Sequence, residues 1–177
     1  MPASTHGPTP VAATEPPAGS LLAAYTARGR YTDCFGVEVS GAVSLAEFVA
    51  AFYGSPLFRL ERWLLARLAG RPTSRADLLA LAEGRADHFA VWRVESRRPG
   101  EILLAAGPTR SWLGASAADA DEGGRTTLRF GSAIEQRRNP PTGALWSATV
   151  VMHRLYARAL LAAAARRLRR GRETSRP

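Results

Sequence analysis

The sequence predicts an α+β domain: a curved antiparallel sheet of about five strands, two or three short helices after the first strand, and a long C-terminal helix packed on the sheet. Three observations carry this. Residues 145–170 contain neither Gly nor Pro, and place Trp146, Thr149, Val150, His153, Tyr156, Leu160 and Ala163 at helical spacings of three and four. Residues 31–39 and 88–136 carry period-two patterns, and the later ones are joined by short turns that favour antiparallel pairing. Between them lie capped segments with helical periodicity.

Residues 1–18, rich in Pro, Ala and Thr and without periodicity, read as a disordered tail. Residues 20–27 form a short helix stopped by Gly29. The strand 31–39 turns Tyr31, Phe35, Val37 and Val39 one way and Thr32, Cys34 and Glu38 the other, which leaves Asp33 on the apolar side. Ser44 and Glu47 form a capping box ahead of Leu45, Phe48, Val49 and Phe52. A second helix is expected over 56–69, with Leu57, Leu60, Leu64 and Leu68 on one face, and Ser74 caps a third over 75–83. Strands follow at 88–97, 101–106, 109–115 and 125–136, with a loop at 118–124. The expected boundaries are a tail at 1–18, one domain at 19–170 and a basic tail at 171–177.

The net charge of +9 is unevenly placed: residues from His153 onward carry +7, and the first 152 residues +2. All 24 basic residues are Arg, so lysine Schiff-base chemistry is excluded. The single Cys34 excludes an intramolecular disulfide and a cysteine-based zinc cluster, and the three His show no metal spacing. Asp119, Asp121 and Glu122 lack the further ligands of a calcium loop, so no metal or cofactor is expected. With no signal-peptide pattern and an apolar run broken by His153, Arg154 and Arg158, a cytoplasmic protein is expected.

The element order resembles the helix-grip fold of the START and Bet v 1-like superfamily. The segments YTDCFGVEV (31–39), FYGSPLFRLER (52–62), TRSWL (109–113), LRFGSA (128–133) and HRLYARALL (153–161) resemble a family of uncharacterised bacterial proteins. The fold resemblance implies a cavity between the sheet and the last helix. None of these segments is a catalytic signature.

Asp33 is the most informative residue, because an ionised carboxylate on a core face must be paired or hydrogen-bonded. If Trp112 points to the core, Arg110 shares its face and can reach Asp33. A cavity lined by Asp33, Trp92, Arg110, Trp112, His153 and Tyr156 suits a small apolar or amphipathic ligand with an anionic end. The plainer alternative has Asp33 bonded to nearby backbone and His153 as a satisfied core histidine. Cys34 points away from the face that His153 meets and reads as a small buried hydrophobe. Arg93 and Glu95 read as solvated charges.

A non-enzymatic carrier is therefore expected. The alternatives are an enzyme using His153, Asp33 and Tyr156 for acid–base chemistry, and an interaction module acting through its basic helix. Arg166, Arg167, Arg169 and Arg170 suit a helix C-terminus, or weak contact with anionic surfaces. No aromatic platform accompanies them, so specific nucleic-acid binding is not expected.

Overall fold

The computed structural model describes residues 10–58, 74–117, 124–135 and 144–173. Among them, seven strands pair antiparallel: β1 (Ala12–Ala13), β2 (Tyr31–Ser40), β3 (His88–Phe89), β4 (Trp92–Arg98), β5 (Glu101–Ala106), β6 (Thr109–Ala117) and β7 (Arg125–Ile134). Their order across the sheet is β1-β2-β7-β6-β5-β4-β3. Four helices accompany them: α1 (Ala23–Ala27), α2 (Leu45–Tyr53), α3 (Arg75–Ala82) and α4 (Ala144–Glu173).

The α+β class stands, with two strands more than the sequence suggests. Ala12 and Ala13, inside the expected tail, pair with Phe35 and Gly36 at the edge of β2. The strand expected over 88–97 is a tight hairpin, because Ala90 adopts φ 54° and reverses the chain between Phe89 and Trp92. The other hairpins turn as expected, through Pro99–Gly100 between β4 and β5 and Gly107–Pro108 between β5 and β6.

Local chemistry sets the helix ends. The Ser44 hydroxyl accepts from the Glu47 N–H (3.2 Å), and the Glu47 carboxylate accepts from the Ser44 N–H (2.7 Å). Those bonds from Ser44 hold the Glu47 carboxyl below its ordinary range. Ser74 and Asp77 repeat the box on α3. The Arg97 guanidinium then donates to the Leu81 carbonyl (2.5 Å) at the other end of α3.

The sheet is covered on both faces. On the inner face, Phe35, Val37, Ile102, Leu104, Leu113, Leu128 and Phe130 meet α2, α3 and α4 in the main core. On the outer face, Leu21, Leu22 and Tyr25 pack on Cys34, Leu103, Trp112 and Ala133 as a second, smaller core. Gly131 permits that close approach: a Cβ there would stand 2.3 Å from Leu22 Cδ2. Glu101 pins the same segment, accepting from the Leu21 N–H (2.9 Å) and the Trp112 indole N–H (2.7 Å).

Helix α4 lies over β2 and β7 and against α2. Its buried residues are Ala157, Leu160, Leu161, Ala164 and Ala165. Small side chains at three of these five positions let the helix sit close. The contact stripe thus differs from the expected one: Leu160 is buried, Ala163 half-buried and Thr149 exposed. The helix also continues past Arg170. Arg172 donates to the carbonyls of Ser40 and Ala42, and Arg167 to that of Gly54 (3.1 Å). Part of the expected basic tail is therefore a clamp on the β2–α2 turn.

A helical turn opens at 56–58. The rest of the helix expected over 56–69, the loop with Asp119, Asp121 and Glu122, and the Trp146 side chain lie outside the described residues.

Candidate functional site: a cavity under the N-terminal half of the last helix

The two halves of α4 meet the sheet differently. Past Ala157 the helix is in close contact, and before it a cavity of about 480 Å³ opens. Its floor is β6 and β7, with Ser111, Phe130, Ser132 and Ile134. One wall is Val150, His153, Tyr156 and Leu160 of α4. The opposite wall is aromatic: Phe52 and Tyr53 of α2, with Phe58 and Trp92. These rings brace one another, with centroids 4.6 Å apart for Tyr53–Phe58, 5.2 Å for Phe58–Trp92 and 4.7 Å for Phe52–Phe130. Bracing fixes the wall and keeps the space from collapsing. The volume falls in the usual range for small-molecule sites, about 300–1,000 Å³.

At one end the lining turns polar. Asp33 is 8% exposed, on the inner face of β2 directly opposite Ser132 of β7. Its Oδ1 accepts from the Ser132 backbone N–H (3.1 Å), and its Oδ2 accepts from the Tyr31 hydroxyl (3.3 Å). His153 reaches down from α4, with Nε2 3.0 Å from Ser132 Oγ and 3.6 Å from Asp33 Oδ2. Burial, then the Asp33 charge and its hydrogen bond, push the Tyr31 phenol up to about 12. Tyr31 therefore keeps its proton at neutral pH and donates a hydrogen bond to Asp33.

Asp, His and Ser together invite comparison with a nucleophilic triad, and the geometry argues against one. A triad needs the carboxylate on one imidazole nitrogen and the hydroxyl on the other. Here both face Nε2, so Asp33 does not orient His153 to deprotonate Ser132. The arrangement instead holds hydrogen-bonding groups at the cavity's end.

The predicted site residues divide between the two faces. Trp92, His153 and Tyr156 line the cavity, and Asp33 sits behind His153. Trp112 does not join them; Arg110 does border the cavity, but the expected Asp33–Arg110 pair is not formed. In register Trp112 stands opposite Leu103 and Gly131, which puts it and Arg110 on the outer face. There the Arg110 guanidinium meets the Glu95 carboxylate (2.5 Å), the Glu135 carboxylate (2.6 Å) and the Tyr25 hydroxyl (3.0 Å). Burial draws Arg110 down, but the Tyr25 bond and the Glu95 charge outweigh it and hold it above its ordinary value. Arg110 thus borders the cavity with its guanidinium already engaged.

Glu95, expected as a solvated charge, is brought to Arg110 by an irregularity in β4 between Val94 and Ser96. The plainer alternative for Asp33 is partly realised, since one of its oxygens does bond backbone. Cys34 lies in the outer core, where burial pushes its thiol up and leaves it unreactive.

Sequence reasoning missed Tyr31, Ser132, Phe52, Tyr53 and Phe58 as lining. Tyr31 and Ser132 were findable, because both alternate in phase with apolar inner-face residues of their strands. Among the described residues, no group of three or more His, Cys, Asp or Glu could hold a metal ion, and no helix is long and apolar enough to cross a membrane. No family model, curated protein or solved structure matches the chain, so a functional reading rests on the geometry of this cavity.

Proposed function

We propose that the chain is a non-enzymatic binding or carrier protein of helix-grip type, holding a small, largely apolar ligand between the sheet and α4. The cavity of about 480 Å³ with its aromatic wall carries the reading. Topology supports it: the two ten-residue strands β2 and β7 are neighbours in the sheet, α2 and α3 fall between β2 and β3, and α4 closes the inner face. Native mass spectrometry of the purified protein is expected to reveal a non-covalent small-molecule adduct, or, after stripping, uptake of the neutral probe N-phenylnaphthylamine. A bare protein that also refuses the probe refutes a carrier.

A second reading is acid–base chemistry in the same cavity, favoured by His153 on the wall with the Asp33 carboxylate behind it. Turnover of a co-purified ligand that disappears in His153→Gln, with ligand binding retained, would favour it over simple carriage.

A further inference from the structure

Resting on the cavity reading, we infer that the ligand is uncharged and offers a hydroxyl or carbonyl oxygen to Ser132, and that carboxylates are excluded. Two observations carry this: where the fixed charges lie, and which proton the polar end has left to give.

The fixed charge next to the cavity's polar end is the buried carboxylate of Asp33. Arg110, the cation that would have welcomed an anion, borders the cavity, but its guanidinium is taken up by Glu95, Glu135 and Tyr25. Arg154 does not line the cavity: its guanidinium lies 5.9 Å from the Phe35 ring centroid, and its charge, felt at Tyr31, is outweighed there by burial and Asp33. A carboxylate seated on Ser132 and His153 would thus face a like charge through one layer of side chains, in a site of low dielectric.

The second observation is a direction of proton donation. Asp33 Oδ2 is an acceptor, so a bare lone pair on His153 Nε2 would be repelled by it, and Nε2 therefore carries the proton. That N–H is hydrogen-bonded to Ser132 Oγ at 3.0 Å, with Asp33 Oδ2 standing 3.6 Å away. Ser132 accepts from it, and its own O–H is left to donate. The Ser132 residue is 4% exposed and lines the cavity, and among the described residues no acceptor faces its O–H, so a ligand oxygen is the best partner for it.

Three matched probes test this on the full chain by titration calorimetry: naphthalene, naphthol and naphthoate. Naphthol is expected to bind about tenfold more tightly than naphthalene, the worth of one good hydrogen bond, and naphthoate more weakly than either. Ser132→Ala should bring naphthol down to the level of naphthalene while naphthalene binding is unchanged. Asp33→Asn should improve naphthoate and spare naphthalene; if it fails to fold, the Ser132→Ala comparison decides alone. Naphthoate binding as tightly as naphthol, or naphthol affinity indifferent to Ser132→Ala, overturns the inference while leaving the cavity in place. Failure of all three probes to bind overturns the cavity and the inference together.

Discussion

Two polar clusters lie back to back across one sheet, and they are finished to different degrees. On the outer face all three Arg110 guanidinium nitrogens are engaged, by Tyr25, Glu95, Glu135 and the carbonyls of Gly107 and Thr109. On the inner face Asp33 is satisfied, and His153 Nε2 pairs with a Ser132 hydroxyl that lines the cavity, which on the inference above still has its own proton to give. Neighbouring residues of β6 and β7 serve both: Arg110 and Ala133 face out, Ser111 and Ser132 face in. A closed network rigidifies what it touches, whereas a network one partner short is poised to take one from outside. On the proposed reading, the outer cluster is therefore architecture and the inner one a site.

The largest effect that this contrast predicts is on the outer face. Arg110→Ala leaves the Glu95 and Glu135 carboxylates without their cation and the Tyr25 hydroxyl of α1 with Glu95 alone. Breaking a fully buried pair costs about 3–5 kcal/mol. The Glu95 and Glu135 side chains keep 33% and 46% exposure, so the expected loss is smaller, about 2–3 kcal/mol by urea unfolding. Adding Glu95→Ala should cost less than the sum of the single changes. A loss for Arg110→Ala within about 0.5 kcal/mol, the scale of ordinary surface changes, would erase the distinction between the clusters.

The misplacement of Arg110 in the sequence reading has a physical cause. Strand alternation tells which residues share a face, but not which face is inside. In β6 both Trp112 and Leu113 are large, apolar and buried, in different cores, so parity could not be set from that strand alone. Only the cover supplied by Leu21, Leu22 and Tyr25 resolves it, and that contact spans some eighty residues of chain. What was legible was local: the Ser44 capping box, the Ser74 cap, the Pro99–Gly100 turn, the alternation in β2 and the long helix each announce themselves within a few residues. Asp33 was legible for the same reason, as a charge breaking an apolar row. Unannounced features depend on backbone alone. Ala12 and Ala13 join the sheet without a side-chain pattern, and Ala90 takes a positive φ that no Gly or Asn foretells.

On the inner face the expected effects are smaller. Asp33→Ala removes the acceptor for the Ser132 N–H and the Tyr31 hydroxyl, and should cost about 1–3 kcal/mol in the same unfolding assay. Asp33→Asn retains an acceptor oxygen and should cost less. It also removes a negative charge beside Tyr31, so the phenol should move down from about 12 towards the ordinary 10.0, read from phenolate absorbance. An unmoved Tyr31 would mean that burial alone sets its value and that the two groups are not coupled.

Tyr31 also gives a pH signature with a definite sign. Below pH 10 it is protonated in folded and unfolded chains alike, so its contribution is intact. Between pH 10 and about 12 the unfolded chain ionises first, and stability falls as pH rises. Tyr25, raised chiefly by burial and by its bond to Glu95, should fall in the same sense on the outer face. Tyr31→Phe and Tyr25→Phe should each flatten part of the alkaline loss. If neither does, the raised tyrosines are irrelevant to stability.

The smallest expected stability effect is also the most discriminating. The His153 side chain is 41% exposed and stands on the stretch of α4 that borders the cavity, ahead of the close contact at Ala157 and Leu160. Removing it as His153→Ala takes away little buried surface and leaves Asp33 with its Ser132 and Tyr31 donors. Unfolding free energy should therefore stay within about 0.5 kcal/mol of the parent. Alanine is also a better helix former than histidine, which offsets part of any loss. Ligand binding should respond in the opposite proportion, because Nε2 is the group that orders the Ser132 hydroxyl. The preference for naphthol over naphthalene should shrink severalfold while naphthalene still binds. Should His153→Ala instead destabilise the fold as much as Arg110→Ala, the inner cluster is as architectural as the outer one.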